Sequence, residues 1–247
     1  MPSTRMRARS VAVRARMAGI PHVKERNMAL ILVTGASSGI GLEFVKQFAA
    51  RGDQVIAAVR QWPKGQSHAG FEVIEGADVR DGAGRHRIVQ AIGTRRLDVV
   101  VHNAGVLAND ALGSINPESL DAQMAVNAFA PILLTQDLRA QLANPCKLAF
   151  ITSRMGSVAD NGSGGYYGYR MSKAALNAGA KSLAIDLAPQ GAAVAILHPG
   201  FVRTRMTGGN GQLEPAESAG LLIARIDALN ASNSGTFWHA NGEMLPW

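Results

Sequence analysis

Tyr169 and Lys173 stand four residues apart in Tyr169-Arg170-Met171-Ser172-Lys173, at the head of the run Ala174-Ala175-Leu176. In a helix this spacing puts both side chains on one face. A cation held beside a phenol favours the phenolate and lowers its pKa from about 10. That suits a group that gives or takes a proton near neutral pH. A surface tyrosine and a surface lysine on one helix would share the spacing, so the pair gains meaning only from its surroundings. Upstream, Leu148-Ala149-Phe150-Ile151 reads as a buried strand ending in Thr152-Ser153-Arg154-Met155-Gly156-Ser157. A hydroxyl at such a strand end can donate to a carbonyl oxygen and stabilise the charge that develops there. Ser153 holds that position, with Ser157 a competitor.

These groups need a scaffold and a reaction partner, and the first strand supplies both. Ala29-Leu30-Ile31-Leu32-Val33 is continuously apolar, as expected of a parallel strand covered on both faces. It leads into Thr34-Gly35-Ala36-Ser37-Ser38-Gly39-Ile40-Gly41 and then a helical pattern to Ala50. Strand, glycine turn and helix N-terminus together hold a diphosphate: glycines let the backbone approach, and free N–H groups with the helix dipole favour anions. The spacing is Gly-x-x-x-Gly-x-Gly, not the commoner Gly-x-Gly-x-x-Gly. A merely tight strand-to-helix turn is the plainer alternative. Gln54–Arg60 reads as a second strand ending in a basic residue. A carboxylate there would bind the adenosine ribose hydroxyls of NAD, whereas Arg60 accommodates the 2′-phosphate of NADP. Lys64 is a second candidate. NADP(H) is therefore the expected cofactor, with NAD(H) the alternative.

Further strands are expected over Phe71–Val79, Leu97–Val101, Ala192–Leu197 and Gly235–Trp238, and a helix over Ala219–Ala228. Met124, Val126, Phe129 and Ile132 read as the core side of a helix that also carries Asn127. Asp160–Gly165 reads as loop, flanked by Met155, Tyr166 and Tyr167 at a substrate mouth. The whole describes one doubly wound α/β domain, its central, mainly parallel sheet of about seven strands covered by helices on both faces. Ligands of such sheets bind outside the carboxyl ends of the strands.

Composition narrows the alternatives. With 247 residues, 47 % hydrophobic and 17 % charged, the chain is an ordinary globular one. Its apolar runs fall short of the ~20 residues of a membrane span. Cys146 is the only cysteine, and the six histidines lack HExxH spacing, so neither a disulfide nor a zinc site is expected. Of the net charge of +7, +6 lies before Met28. That basicity is a property of the tail, and no nucleic-acid or membrane partner is expected. Residues 1–28 are read as a basic extension, disordered or upstream of the biological start, with an organellar transit role as a rival reading. Residues 29–247 are the expected dinucleotide-binding domain, substrate site included.

Thr34–Gly41, Asn103-Ala104-Gly105, Asn127, Ser153, Tyr169-x-x-x-Lys173 and Pro199-Gly200 occur in the order and rough spacing of the short-chain dehydrogenases/reductases. The likeness runs from Met28 to Trp247. The segment Tyr167–Asn177 and the ending Leu245-Pro246-Trp247 further resemble the C-factor/sniffer-like carbonyl reductase branch. The resemblance implies a cytoplasmic oxidoreductase that passes hydride between the cofactor and a small-molecule carbonyl/alcohol pair, working as a homodimer or homotetramer paired through the helices of Asn127 and Tyr169. Asn127, Ser153, Tyr169 and Lys173 would be catalytic, Asn127 holding on its carbonyl a water that links Lys173 to solvent. Gly35, Ser37, Ser38, Gly39, Ile40 and Gly41 would hold the diphosphate, and Asp78 and Val79 the adenine. Asn103, Ala104 and Gly105 would shape the cofactor loop. Tyr169, Lys173, Pro199, Gly200, Val202 and Thr204 would surround the nicotinamide half. Three departures stand out. His102 replaces a usual asparagine and reads as a tolerated strand-end residue. Ser38 stands where NADP-using relatives often carry a base. The gap from Ser153 to Tyr169 is a few residues longer than usual, which keeps Ser157 in play. A catalytically quiet dinucleotide-binding regulator of the same fold is the competing function.

Overall fold

The computed structural model describes residues 28–247, so the expectations for the basic extension lie outside the described residues. Seven parallel strands form one sheet in the order β3-β2-β1-β4-β5-β6-β7. In chain order these are β1 (Leu30–Thr34), β2 (Gln54–Ala58), β3 (Glu72–Ile74), β4 (Leu97–His102), β5 (Leu142–Ile151), β6 (Ala192–His198) and β7 (Thr236–His239). The helices are α1 (Gly39–Ala50), α2 (Gly82–Ile92), α3 (Pro117–Met124), α4 (Ala130–Asp137), α5 (Tyr167–Asp186) and α6 (Pro215–Asp227), with a π-helical turn, Ala125–Phe129, joining α3 to α4.

Alternate strand residues feed two apolar layers, because successive side chains point to opposite faces. Leu32, Val100, Phe150 and Ile196 pack with Ile88 of α2, Leu134 of α4 and Leu176 of α5. Ile31, Val101, Ala149 and Leu197 pack with Phe44 and Phe48 of α1 and Leu222 of α6. The strand order reverses between β1 and β4, and the chain is stitched there by side chains. The Thr34 hydroxyl oxygen accepts from the amides of Asn103 (3.1 Å) and Ala104 (3.2 Å). Asn103 Nδ2 donates to the carbonyls of Thr34 (3.1 Å) and Gly35 (3.2 Å). Two loops that leave adjacent strands in opposite directions are thus held open at a fixed width.

Several boundaries differ from the sequence reading. β3 ends at Ile74 because Gly76 (φ +67°) turns the chain, its amide donating to the Arg60 carbonyl. β5 starts at Leu142, opposite Leu97 of β4, six residues before the apolar run that announces it. α6 starts at Pro215, whose fixed φ and missing N–H suit a first helical position. Phe129, expected in the core, is 56 % exposed: it closes the π-helical turn, where the 3.6-residue periodicity behind that expectation does not hold. The segment between β6 and α6 is bonded back on itself, Arg203 N donating to Leu213 O (2.9 Å) and Thr207 Oγ1 to Val202 O (2.8 Å). Trp247 closes the sheet edge, stacking on Phe237 at 5.6 Å while its carbonyl accepts from Ala159 N (3.0 Å).

Phe150 is fully buried under the His102 ring, with centroids 4.6 Å apart, in the layer that carries α5. Phe150→Ala should cost about 3–5 kcal/mol in urea unfolding at neutral pH. A loss below about 1 kcal/mol would contradict this packing.

Candidate active site

The glycine loop after β1 packs so tightly that side chains are excluded. A Cβ on Gly35, itself at φ +65°, would lie 2.7 Å from Ala104 Cα, and one on Gly41 would lie 2.4 Å from Asn103 Nδ2. Ser38 is the N-cap of α1 and makes no side-chain cap bond, so the first-turn amides are not claimed by it. Free donors at a helix start carry partial positive charge and attract anions. The loop opens on a cavity of about 1170 Å³. Gly35, Ser37, Ser38, Gly39, Ile40 and Gly41 form one wall; Arg60, Asp78 and Val79 line one end; Asn103, Ala104, Gly105 and Thr204 close the rest. Pro199, Gly200 and Val202 are not part of that lining. Val202 is buried and pairs with Leu213, and Gly200 (φ +87°) faces the Leu213 side chain.

The lining holds residues the sequence reading passed over: Trp62, Arg80, Arg203 and Arg205 join Arg60 and Lys64. Arg80 pairs with Asp78 (2.7 Å) and Arg203 with Glu214 (2.6 Å). Asp78 is held below the usual carboxylate range, chiefly by its hydrogen bond from Arg80, burial working against it. The view that basicity belongs only to the tail is therefore corrected. Chain-wide counting concealed a local concentration, since this lining carries five cationic side chains against one carboxylate, Asp78. The available signal was adjacency, because Arg80 follows Val79 and Arg203 and Arg205 flank Thr204. A cavity of this size, with main-chain donors on one wall and cations in its lining, suits a nicotinamide dinucleotide in size and charge.

Ser153, Tyr169 and Lys173 come together beside the Gly105 edge of the cavity, and all three are buried. Lys173 Nζ donates to the carbonyl of Ile151 (2.9 Å), the last residue of β5. It lies over the Tyr169 ring, 5.8 Å from the centroid. Ser153 caps the short turn after β5, its Oγ accepting from Met155 N (3.1 Å). Ser157 instead accepts from Asp160 N (3.1 Å), inside the following loop. Ser153 is the serine bonded to Tyr169. Met155, Tyr166 and Tyr167 are half-buried around this turn.

Burial pushes the Tyr169 phenol up to about 12, against the hydrogen bond from Ser153, and pushes the Lys173 amine down to about 8. The expected lowering of the phenol pKa by Lys173 is absent in the protein alone, where Ser153 is the group that lowers it. The ammonium faces the ring rather than adding to the groups that lower the phenol, and desolvation of the charged form dominates. Tyr169 is a protonated phenol at neutral pH.

Asn127 sits in the π-helical turn and is 1 % exposed. Its Oδ1 accepts from Val106 N (2.8 Å), while Nδ2 donates to Val106 O (2.8 Å) and Ser172 Oγ (3.0 Å). The amide therefore bolts the cavity-lining segment after Gly105 to α5. His102 is buried between Phe150 and Thr135, its Nε2 2.9 Å from Thr135 Oγ1. Because Thr135 already donates to Pro131 O (2.8 Å), the ring nitrogen is the donor. Burial pushes His102 down to about 3, so it is neutral and structural.

Among the described residues no group of three or more His, Cys, Asp or Glu could hold a metal ion, and no helix is long and apolar enough to cross a membrane. The short chain dehydrogenase family profile matches residues 29–214. Over 230 residues the chain is 36 % identical to 1-hydroxy-2-glutathionyl-2-methyl-3-butene dehydrogenase of Rhodococcus sp. (strain AD45), covering 89 % of this chain and all of the relative. It is 39 % identical over 157 residues to C-signal of Myxococcus xanthus, covering 62 % of this chain and 95 % of that one. The NADPH-bound carbonyl reductase from chicken fatty liver superposes with a TM-score of 0.81 at 26 % identity, covering 89 % of this chain and 99 % of that one. These likenesses agree with the branch that Tyr167–Asn177 and Leu245–Trp247 resemble.

His102 also makes a pH prediction. The unfolded chain takes up a proton below the ordinary value of 6.5 that the folded form refuses down to about 3, so stability is lost as pH falls through that window. His198, pushed down to about 3 by burial, His239 and Arg154, acts with the same sign. In His102→Gln the slope of unfolding free energy against pH between about 4 and 6 should fall by about 1.4 kcal/mol per pH unit. An unchanged slope in urea titrations would show that His102 charges in the folded state.

Proposed function

This chain belongs to the short-chain dehydrogenase family, and on that premise we propose that it catalyses reversible hydride transfer between NADP(H) and a carbonyl/alcohol pair on a small molecule. The observation that carries the reading is the burial of Ser153, Tyr169 and Lys173 together at the carboxyl end of β5, beside a cavity whose opposite wall is the glycine loop. When bound, NADPH supplies the hydride that reaches the carbonyl carbon. Tyr169 gives its proton to the carbonyl oxygen, and Ser153 donates a hydrogen bond to that oxygen as negative charge grows there. The raised phenol pKa supports the reductive direction, since the donor is loaded at neutral pH. Oxidation would require Tyr169 to lose that proton first, against the burial that holds it and with only the Ser153 hydrogen bond in favour.

The remaining roles follow from position. Lys173 would hold the nicotinamide ribose from the Gly105 edge, where its Nζ lies 3.7 Å from the point a Cβ would occupy. Asn127 would carry a relay water on its main-chain carbonyl; a π-helical turn disturbs the regular carbonyl ladder, which supports that role. The glycine loop with Ser37, Ser38 and Ile40 would take the diphosphate, and Asp78 and Val79 the adenine. Asn103 and Ala104 would fix the loop width, and Pro199, Gly200, Val202 and Thr204 would stand behind the nicotinamide. Arg60 is exposed at the end of the cavity that Asp78 lines, and the Asp78 carboxylate is already paired with Arg80, which supports NADP(H) ahead of NAD(H). Phe129 and Leu133 around α4, with Met171 and Ile185 on α5, are exposed apolar residues and support pairing of subunits through those helices.

Purified protein should oxidise NADPH with members of a panel of aldehydes, ketones and quinones, and Tyr169→Phe should lower kcat by about 10²–10⁴-fold with little change in NADPH affinity. Turnover surviving in that variant would remove Tyr169 as the proton donor. Cofactor binding without turnover by the wild type on any panel member would favour the regulator reading. Separately, Arg60→Ala should raise KM for NADPH by about tenfold or more and leave KM for NADH within about threefold, the loss of one charge-assisted phosphate contact. Equal effects on both cofactors would mean that Arg60 does not read the 2′-phosphate.

A further inference from the structure

The catalytic helix α5 begins without a cap of its own. Its N-cap residue is Tyr166, held at φ +50°, and that side chain makes no cap bond. A bulky residue with positive φ is strained and persists only where its surroundings over-determine it. The compensation arrives from Asp110, 58 residues earlier in sequence. Its Oδ2 accepts from Gly168 N (3.1 Å), in the first turn of α5, and its main-chain carbonyl accepts from Tyr166 N (2.8 Å). The carboxylate is 3 % exposed and is itself gripped: Gln123 Nε2 donates to Oδ2 (3.0 Å) and Ser119 Oγ to Oδ1 (3.2 Å). Gly168 admits this approach only by lacking a side chain, since a Cβ there would fall 2.9 Å from Asp110 Oδ2 and 2.4 Å from Gln123 Nε2.

The same strap reaches the cofactor cavity. Val106 and Leu107 line it, Val106 is clamped on both sides by Asn127, and Ala108 N donates to Gln123 Oε1 (3.0 Å). Val106–Asp110 therefore runs from the cavity wall to the start of α5 with a side-chain anchor at every second residue.

We propose that Asp110 is a positioning residue: it caps the catalytic helix from the strap after β4, and through that cap the strap sets where Tyr169, one residue beyond Gly168, stands relative to the cavity. The proposal rests on the reductase reading only for its kinetic consequence; the cap itself is tested without turnover. A carboxylate at this place satisfies an orphan amide and faces the positive end of the helix. Its geometry needs an acceptor at Oδ2 but not a charge. An asparagine oxygen there still serves Gly168 and Gln123, and its amide nitrogen, in place of Oδ1, can donate to Ser119 Oγ.

The test compares Asp110→Ala, Asp110→Asn and, as a second way to break the strap, Gln123→Met, all in the full chain. Hydrogen exchange of amides 166–170 should accelerate about tenfold or more in Asp110→Ala and Gln123→Met, while the later turns of α5 and NADPH affinity stay near wild type. Where the wild type turns over, kcat should fall about 10–100-fold in those two variants with KM for NADPH within about threefold, the effect of a displaced proton donor. Asp110→Asn should keep both properties within about threefold. Unchanged exchange at 166–170 in Asp110→Ala would overturn the cap, whether or not any carbonyl is reduced. Normal kcat despite faster exchange would overturn the positioning role. Loss in Asp110→Asn equal to that in Asp110→Ala, or a parallel loss of NADPH affinity, would show that charge or general stability is what Asp110 supplies.

Discussion

The buried ammonium of Lys173 sets the terms for the rest of the structure. A charge without solvent is tolerated only when hydrogen-bonded, and the nearest solution here is the carbonyl of Ile151, at the point where β5 leaves the sheet. That bond fixes how far α5 can slide along β5. Gly156 makes the close approach feasible, since a Cβ there would meet the Lys173 backbone at 2.8 Å. Thr152 Oγ1 completes the joint by donating to Asn177 Oδ1 (2.7 Å). Ser153 lies between these contacts, so its meeting with Tyr169 follows from docking the turn after β5 on the helix.

A second joint, at the π-helical turn, relates this docked pair to the dinucleotide-sized cavity. Asn127 spends its whole side-chain amide on Val106 and Ser172, one on each side of the site. A regular helix through residues 125–129 would turn that amide toward a different neighbour, because one extra residue in a turn rotates everything beyond it. The irregularity is therefore what lets one side chain face the strap after β4 and α5 at the same time.

Much of this was legible in the sequence, and the reason differs by feature. The β1–glycine loop–α1 unit is local: buried strand, turn glycines and amphipathic helix are contiguous, and their order dictates their geometry. Tyr169 and Lys173 are legible because helical spacing is fixed. What escaped depends on groups brought together from far apart. Arg80, Arg203 and Arg205 share a cavity rim only after the sheet has formed. Asp110 reads as an ordinary loop residue until Gly168 is folded against it. Phe129 was misplaced because the periodicity used to judge it breaks at the π-helical turn. The phenol pKa of Tyr169 in the protein alone differs from the expectation for a physical reason: spacing reveals a neighbouring cation but not the loss of water around the ring, and that loss sets the direction here.

The seat of Trp247 has a practical side. Its ring is part of the sheet edge and its carbonyl holds Ala159, in the loop that follows Ser153 and Ser157. A purification tag fused after Trp247 would start one hydrogen bond away from that loop. Rate constants measured on such a fusion would describe the tag as well as the protein, so the form fit for kinetics is one whose handle stands away from Trp247.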